Sequence, residues 1–360
     1  MSAHLTLAGL AMADGWPMAR VLPGASAAPI GHAIDLAFLF DGEGDARQDS
    51  LMSETRRQLG GCVASVETAL RLSLAHAPDI SAALDVMDGP VAWPMIRAHP
   101  TLVSPALLAH MRMRAAVVLM LREFGRGDVD QPAAPDDPLP SPDHPLLGEA
   151  VAALAMAEGR WLISGGELDP IKPDIPADLF TELVWTVAAC LLHAAARGVD
   201  GDGALFAALD RSAWAVIADH DEASSPIAQA ERLVRRMGEA AEDPAILGIA
   251  LESRRFLMFC ALAAHVLHIE CHALISALLV EPVSQVAMLS RALGGSDADY
   301  RLLLLALRPV RPSLNDAALV RAALDYADVG SSQADAAMIA LRTAPAFRAR
   351  LSHLQGIMPA

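Results

Sequence analysis

The sequence predicts an all-α protein, built as an antiparallel helix bundle or a loose stack of helix pairs. Hydrophobic residues make up 54% of the 360 residues but aromatic residues only 4%, so the core must consist of Ala, Leu, Val, Ile and Met, a mixture that favours helices. Apolar residues recur at three- and four-residue steps, and no strand-like alternation continues for more than a few residues. The loops between periodic segments are short, which favours antiparallel neighbours.

Residues 1–50 are expected to form an irregular N-terminal region. Glycine and proline interrupt this stretch repeatedly, in "PGASAAPIGH" and "DGEGDARQDS", and it contains no long periodic segment. A short apolar run near its start has no Lys or Arg before it, so we expect no secretory signal.

An N-terminal helical domain is predicted over residues 51–124. Its first helix is "SETRRQLGGCVASVETALRLSLA", for which Ser53 is a candidate N-cap. The apolar face of this helix is predicted to consist of Leu59, Val63, Val66, Leu70 and Leu74. Short helices follow in "PDISAALDVM" and "PVAWPMIRAH", and Ser104 before Pro105 predicts the start of a long one.

Residues 125–145 are predicted to be an exposed linker between two helical regions. This stretch contains "GRGDVDQPAAPDDPLPSPDHP", which is rich in Pro, Asp and Gly and has almost nothing to bury. A C-terminal helical domain is predicted over 146–355, and Gly198 is a candidate C-cap. Its helical runs are "LLGEAVAALAMAEGRWLIS", "IPADLFTELVWTVAACLLHAAARG", "GALFAALDRSAWAVIAD", "SPIAQAERLVRRMGEAA", "PAILGIALESRRFLMFCALAAHVL", "SQVAMLSRALG", "SDADYRLLLLALR" and "SLNDAALVRAALDYA".

Charge and cysteine content narrow the choice of partner and compartment. The 27 basic and 43 acidic residues give a net charge of -16, which disfavours nucleic acid and anionic membrane as partners. The four cysteines show no C-x-x-C spacing, so buried reduced thiols are expected. The long apolar stretch "FLMFCALAAHVLHIECHALISALLV" carries Glu270 and three histidines, which are costly in lipid, so we expect a buried helix of a cytoplasmic protein.

Several phrases resemble a known protein family. They are "IPADLFTELVWTVAACLL", "ADHDEASS" and the stretch from "ALESRRFLMFC" to "YRLLLLALRP", in that order, with weaker similarity in "RRQLGGCVASVETAL" and "AWPMIRAHPTLVSPALLAHM". As a set they are similar to the bacterial all-helical family catalogued as domain of unknown function 2336, over roughly residues 50–330. The resemblance implies a cytosolic helical protein and supplies no catalytic residues.

The stretch "HVLHIECH" is the first candidate site. On one continuous helix, His265, His268 and His272 would share a face, which Ile275 and Leu279 would continue. His268 and His272 have the i, i+4 spacing that can hold one Zn²⁺, but His265 and His272 would lie roughly 10 Å apart along the axis. Glu270 would point elsewhere, and no E-x-x-H pair occurs in the sequence. Packed histidines are therefore favoured, and a two-histidine metal site is the alternative.

Two acidic stretches are further candidates. Asp219, His220, Asp221 and Glu222 form "ADHDE", which has the residue types for cation binding or acid–base chemistry, although helix capping is the favoured interpretation. The stretch "DGEGDARQDSLM" imitates a calcium loop but lacks its glycine and its final glutamate. The acids of this second stretch are Asp41, Glu43 and Asp45.

The sequence therefore favours a non-enzymatic helical scaffold or protein-interaction module over an enzyme. No catalytic, cofactor-binding or metal residue is assigned, and no cofactor is expected. The partner is expected to be another protein, and a homo-oligomer is compatible with the sequence. The alternative is a metal-dependent hydrolase that uses the 265–272 histidine helix and the 219–222 acidic cluster. A third hypothesis is an apolar small-ligand binder.

Overall fold

The computed structural model describes residues 49–75, 89–125, 145–195 and 202–343, together with the single helical residues 32, 35, 36, 39, 40 and 347. Every regular element in these residues is a helix, so the predicted all-α class is confirmed. Most of the predicted irregular region 1–50, the interior of the predicted linker 125–145, the predicted helix "PDISAALDVM" (78–87) and Gly198 lie outside the described residues.

Fourteen α-helices are described in this part of the chain. They are α1 (Asp49–Leu74), α2 (Ala92–Ala98), α3 (Pro105–Gly125), α4 (Pro145–Leu162), α5 (Ala177–Ala195), α6 (Asp202–Ala218), α7 (Pro226–Met237), α8 (Pro244–Glu252), α9 (Phe256–Leu267), α10 (Cys271–Val280), α11 (Val283–Ala292), α12 (Asp297–Leu307), α13 (Asp316–Asp325) and α14 (Ser331–Arg342). Short 3₁₀ helices lie at Pro100–Leu102, Glu222–Ser224, Gly238–Glu242, Arg308–Val310 and Tyr326–Asp328.

The helices belong to two compact units that are not continuous in sequence. Unit 1 combines Met1–Ala115 with Ile163–Ser225, and unit 2 combines Ala116–Leu162 with Pro226–Ala360. The first boundary falls inside α3, so each unit contains residues from both of the predicted helical regions. The predicted regions 51–124 and 146–355 stay predictions as independently folding domains.

The core of unit 1 is built on α1, α5 and α6, which pack against one another. The predicted apolar face of α1, from Leu59 to Leu74, is buried throughout. The predicted start of α1 is wrong, because the helix begins at Asp49 and Ser53 lies exposed within it. The predicted start of α3 is confirmed, since the Ser104 hydroxyl oxygen accepts the N–H of Leu107 at 3.1 Å.

A pair of glycines lets the segment before α5 cross α1 closely. The N–H of Ile171 donates to the carbonyl oxygen of Gly61 at 3.0 Å, and the Ser65 hydroxyl donates to the carbonyl oxygen of Ile171 at 2.8 Å. A Cβ on Gly61 would lie 2.6 Å from the Ile171 side chain, and a Cβ on Gly60 would meet the carbonyl oxygen of Glu167. Both glycines are therefore required by the close approach of this segment.

Unit 2 is organised around α9, which packs against α7, α8 and α10. All residues of α9 except His265 and Val266 are buried. Around this centre, α7 packs on α4, and α11 packs on α14. Both α12 and α13 lie in the C-terminal part of this unit and contact each other.

Few of the described helices have the length and composition needed to span a membrane. One of them, α5, is long and apolar enough, and 44% of the relevant window is buried. The helices α9 and α10 pass the same test only as a pair, and they are bent by 109°. Buried core helices of soluble proteins have the same composition.

Candidate functional site

The prediction that His265, His268 and His272 lie on one continuous helix is wrong. α9 ends at Leu267, and His268 adopts a left-handed conformation with φ 53° and ψ 47°. The N–H of Ile269 then donates to the carbonyl oxygen of Ala264 at 3.0 Å, which closes the end of the helix. α10 begins at Cys271 in a new direction, so the histidines do not share a face.

The three histidines occupy different environments. His265 is half-buried on α9, His268 is exposed in the turn, and His272 is half-buried at the start of α10. Glu270 is an exposed N-cap residue whose side chain makes no capping hydrogen bond. Within the described ranges, no group of three or more His, Cys, Asp or Glu side chains is arranged to hold a metal ion. The i, i+4 geometry that suggested a zinc site does not exist here.

The 219–222 cluster is used locally in unit 1, as its capping interpretation predicted. The Asp221 carboxylate accepts the N–H of Ala223 at 3.1 Å at the start of a 3₁₀ helix. The Glu222 carboxylate accepts the N–H of Ala177, the first residue of α5, at 2.8 Å.

His220, in the same cluster, is held against the start of α5. Its Nε2 atom lies 2.8 Å from the carbonyl oxygen of Ile175, which can only accept a hydrogen bond. Its ring stacks on Phe180 with the two centroids 3.9 Å apart. His220 therefore helps to position the start of α5.

The imitation calcium loop, Asp41 to Asp45, lies outside the described residues. The tryptophans of the described helices differ in exposure: Trp161 is buried, whereas Trp214 is 56% exposed. Trp214 follows the buried Ala213 on α6 and packs edge-on against Trp185, with ring centroids 5.4 Å apart. An α-helix rotates by about 100° per residue, so neighbours such as Ala213 and Trp214 lie on different faces.

The cysteines are buried and free of disulfides, as predicted. Burial raises the pKa of the Cys62 thiol to about 11, although the neighbouring Arg114 acts to lower it. Burial likewise raises the pKa of Cys190 to about 11. A thiol with such a pKa is almost fully protonated at neutral pH, so neither residue is an activated nucleophile.

A buried polar network in unit 1 was not found from the sequence. Arg114 on α3 donates from Nε to Gln58 at 2.7 Å, from Nη1 to Asp174 at 2.8 Å and from Nη2 to the carbonyl oxygen of Lys172 at 3.1 Å. The side chains of Arg114 and Asp174 have no solvent exposure. Because the donors point inward at protein acceptors, this network joins α1, α3 and the segment before α5.

A hollow of about 580 Å³ in unit 1 is lined by Trp93, Arg97 and Glu167, among others. The Glu167 carboxylate accepts the indole N–H of Trp93 at 3.2 Å and lies 3.3 Å from Arg56 and 3.8 Å from Arg97. The Glu167 carboxylate is therefore engaged by neighbouring protein groups.

An apolar groove of about 340 Å³ lies between α12 and α13 in unit 2, and we call it the α12–α13 groove. Leu304 forms its floor and is 1% exposed, whereas Leu305 is 48%, Val320 62% and Leu324 69% exposed. The groove is lined by Arg301, Leu304, Leu305, Leu319, Val320, Ala323 and Leu324. Exposed apolar side chains gathered in one concave surface are typical of an interaction site.

Side-chain caps fix the starts of both helices that form the groove. Ser296 and Asp299 form a reciprocal capping box at the start of α12. The Asn315 side chain accepts the N–H of Ala318 at 2.9 Å at the start of α13. No residue of α13 is fully buried. The apolar face of α13 therefore remains available.

Charge is distributed unevenly along the α12–α13 groove. At the turn between the two helices, Arg308 and Asp316 form an ion pair at 2.8 Å. Arg301 is the one charged side chain among the lining residues. It is exposed and makes no hydrogen bond or ion pair within the described part of the chain. A single unpaired positive charge thus faces an otherwise apolar groove.

Comparison with known proteins identifies no relative: no family model matches the chain, and neither a curated protein nor a solved structure matches it. The resemblance to the family catalogued as domain of unknown function 2336 stays a prediction.

Proposed function

We propose that this protein is a non-enzymatic helical interaction module, and that the α12–α13 groove is where it docks a partner protein. The observation that carries this proposal is the exposure of Leu305, Val320 and Leu324 in one groove. Fully burying a side chain of this size contributes about 1.5–3 kcal/mol. A partner that covers all three would therefore gain substantial binding free energy.

The chemistry of the lining favours a protein over a small molecule. Small-ligand pockets combine an apolar wall with several converging polar groups. The α12–α13 groove has only Arg301 among its lining side chains to fix the orientation of a ligand. An apolar groove between two helices is a form that receives an amphipathic helix.

The metal-dependent hydrolase remains a hypothesis without an observation that favours it. The Asp221 and Glu222 carboxylates accept backbone N–H groups at helix starts. His268 lies in a turn between α9 and α10, not on a helix with His272. These placements support the interaction module as the better proposal.

Site-specific photo-cross-linking tests the docking proposal. A photoreactive amino acid at Val320 in the full-length protein, irradiated in its native cells, should yield a discrete adduct with a second protein. Leu305→Asp in the same chain should abolish this adduct, because it places a carboxylate in the contact. Ile339 on α14 is 67% exposed and does not line the groove, so the probe placed there is the matched control. Equal adducts from both positions, or none from Val320, would overturn the proposal.

A further inference from the structure

From the charge at the α12–α13 groove, we infer that its occupant is an amphipathic helix of another protein, with an acidic residue beside its apolar stripe. A carboxylate of this helix pairs with Arg301 while apolar side chains contact Leu305, Val320 and Leu324. The inference rests on the proposed docking function and specifies the chemistry of the partner.

The length of the groove sets the length of the contact. The lining residues run from Arg301 to Leu305 on α12 and from Leu319 to Leu324 on α13, which is a little more than one helical turn on each helix. A docked helix therefore presents apolar anchors at positions i and i+3 or i+4. The Arg308–Asp316 ion pair lies beyond one end of the lining, so the partner's carboxylate belongs at the other end, beside Arg301.

The charge of the groove lining favours an acidic partner, although the chain as a whole has a negative net charge. The whole protein carries -16, which disfavours acidic partners at long range. At physiological ionic strength, however, charges more than about 8 Å apart are largely screened, so the nearest group dominates. Arg301 is the only charged side chain among the lining residues, so it decides the sign of the lining. A basic helix would bury Arg301 against a like charge, which is unfavourable.

Matched synthetic peptides test the sign of this charge. The first is an 18-residue helical peptide with a leucine stripe flanked by glutamates, and the second has lysine in place of each glutamate. A third has the composition of the first in scrambled order. Binding of each labelled peptide to the full-length protein is measured by fluorescence anisotropy at low and physiological salt. We expect the glutamate peptide to bind about tenfold more tightly than the lysine peptide at physiological salt, where the net charge of the chain is screened. At low salt this preference should become smaller, because the net charge of -16 then repels the glutamate peptide.

Two variants with the same change in net charge provide the decisive comparison. Arg301→Glu should reverse the preference between the glutamate and lysine peptides. Arg321→Glu adds the same negative charge outside the lining and should leave the preference in place. If both variants shift it equally, the effect is due to net charge and the role of Arg301 is overturned.

The outcomes separate this inference from the docking function itself. If both peptides bind equally and the Leu305→Asp variant binds neither of them, the groove docks helices without regard to charge. That result overturns the inference and leaves the proposed function intact. If no peptide binds but the Val320 cross-link forms, the acidic-helix occupant is likewise excluded. If the cross-linked partner is a second copy of this chain, the occupant is a homodimer interface and the inference is overturned.

Discussion

Arg114 and Asp174 form an ion pair in the core of unit 1, with Arg114 Nη1 2.8 Å from Asp174 Oδ1 and both side chains free of solvent exposure. Removing two charges from water is costly, and their attraction offsets that cost only when hydrogen bonds satisfy the remaining donors. Here Gln58 and the carbonyl oxygen of Lys172 accept two further N–H groups of Arg114. The pair therefore depends on the simultaneous placement of α1, α3 and the segment before α5.

Arg114→Met should lower the free energy of unfolding by about 3–5 kcal/mol, because it leaves the Asp174 carboxylate buried without its main counter-charge. The double variant Arg114→Met with Asp174→Ala should lose less than the sum of the two single variants. Urea denaturation of the four proteins gives this coupling directly. Strict additivity would show that the pair contributes no interaction energy.

How far the sequence determines this fold depends on which physical signal marks each element. The apolar face of α1 could be predicted because burial follows the helical period, and the start of α3 because Ser104 and Pro105 are a strong start signal. The break between α9 and α10 could not, since His268 adopts the left-handed conformation that usually requires glycine.

The candidate site, too, could be predicted from the sequence only in part. An apolar spacing such as that of Leu319, Val320, Ala323 and Leu324 predicts a helix face, but it does not say whether the fold covers that face. Leu304 and Leu305 are neighbours in "RLLLLALR", yet one is buried and the other is half exposed. The groove depends on the position of α13, which only the tertiary structure supplies.

Gly60→Ala should destabilise the protein, because the added methyl would meet the carbonyl oxygen of Glu167 and lie 3.1 Å from the Trp93 ring. Backbone that is held by other contacts cannot move away cheaply, so we expect a loss of about 1–3 kcal/mol. The matched control is Gly159→Ala in α4, where nothing lies within 4 Å of the added atom. Gly159→Ala should stabilise the protein by roughly 0.5–1 kcal/mol, because alanine has a higher helix propensity than glycine. Thermal unfolding of the two variants should therefore shift in opposite directions.

His268→Gly should stabilise unit 2, since glycine adopts a φ of 53° without the strain of a Cβ. The expected gain is about 0.5–1 kcal/mol, because the greater freedom of the unfolded glycine offsets part of the relief. His265→Gly, inside α9, is the control and should cost about 1 kcal/mol.

The same variant tests the metal alternative. A structural zinc on His268 would make His268→Gly destabilising, and a strong chelator would lower the midpoint of the parent. We expect the chelator to leave the thermal midpoints of parent and variant unchanged.

Leu304→Asp should destabilise the protein by several kcal/mol, because a carboxylate at a side chain that is 1% exposed has no room for hydration. Leu305→Asp, one residue further, is the control, because this side chain is 48% exposed. It should change stability by less than about 1 kcal/mol. Unfolding midpoints should separate the two variants clearly. Similar midpoints would mean that the floor of the groove is open to water.

Glu158 on α4 gives unit 2 a pH-dependent contribution to stability. Burial raises the pKa of its carboxyl group from 4.5 to about 7, although nearby Arg255 acts to lower it. Between these two values the folded chain holds a proton that the unfolded chain has released. Folding then takes up a proton, so this group's contribution to stability falls as pH rises from about 4.5 to 7 and levels off above.

Glu158→Gln should remove this contribution, because the amide stays neutral at every pH. Near pH 4.5 the free energies of unfolding of parent and variant should be similar. At pH 8 the free energy of unfolding of the variant should be larger by on the order of 2 kcal/mol. Urea denaturation at several pH values measures the difference. Glu149→Gln is the control on the same helix, because it makes the same substitution at an exposed side chain. A Glu158→Gln variant that is less stable than the parent at pH 8 would show that the ionised carboxylate is stabilised by Arg255 more than it is penalised by burial.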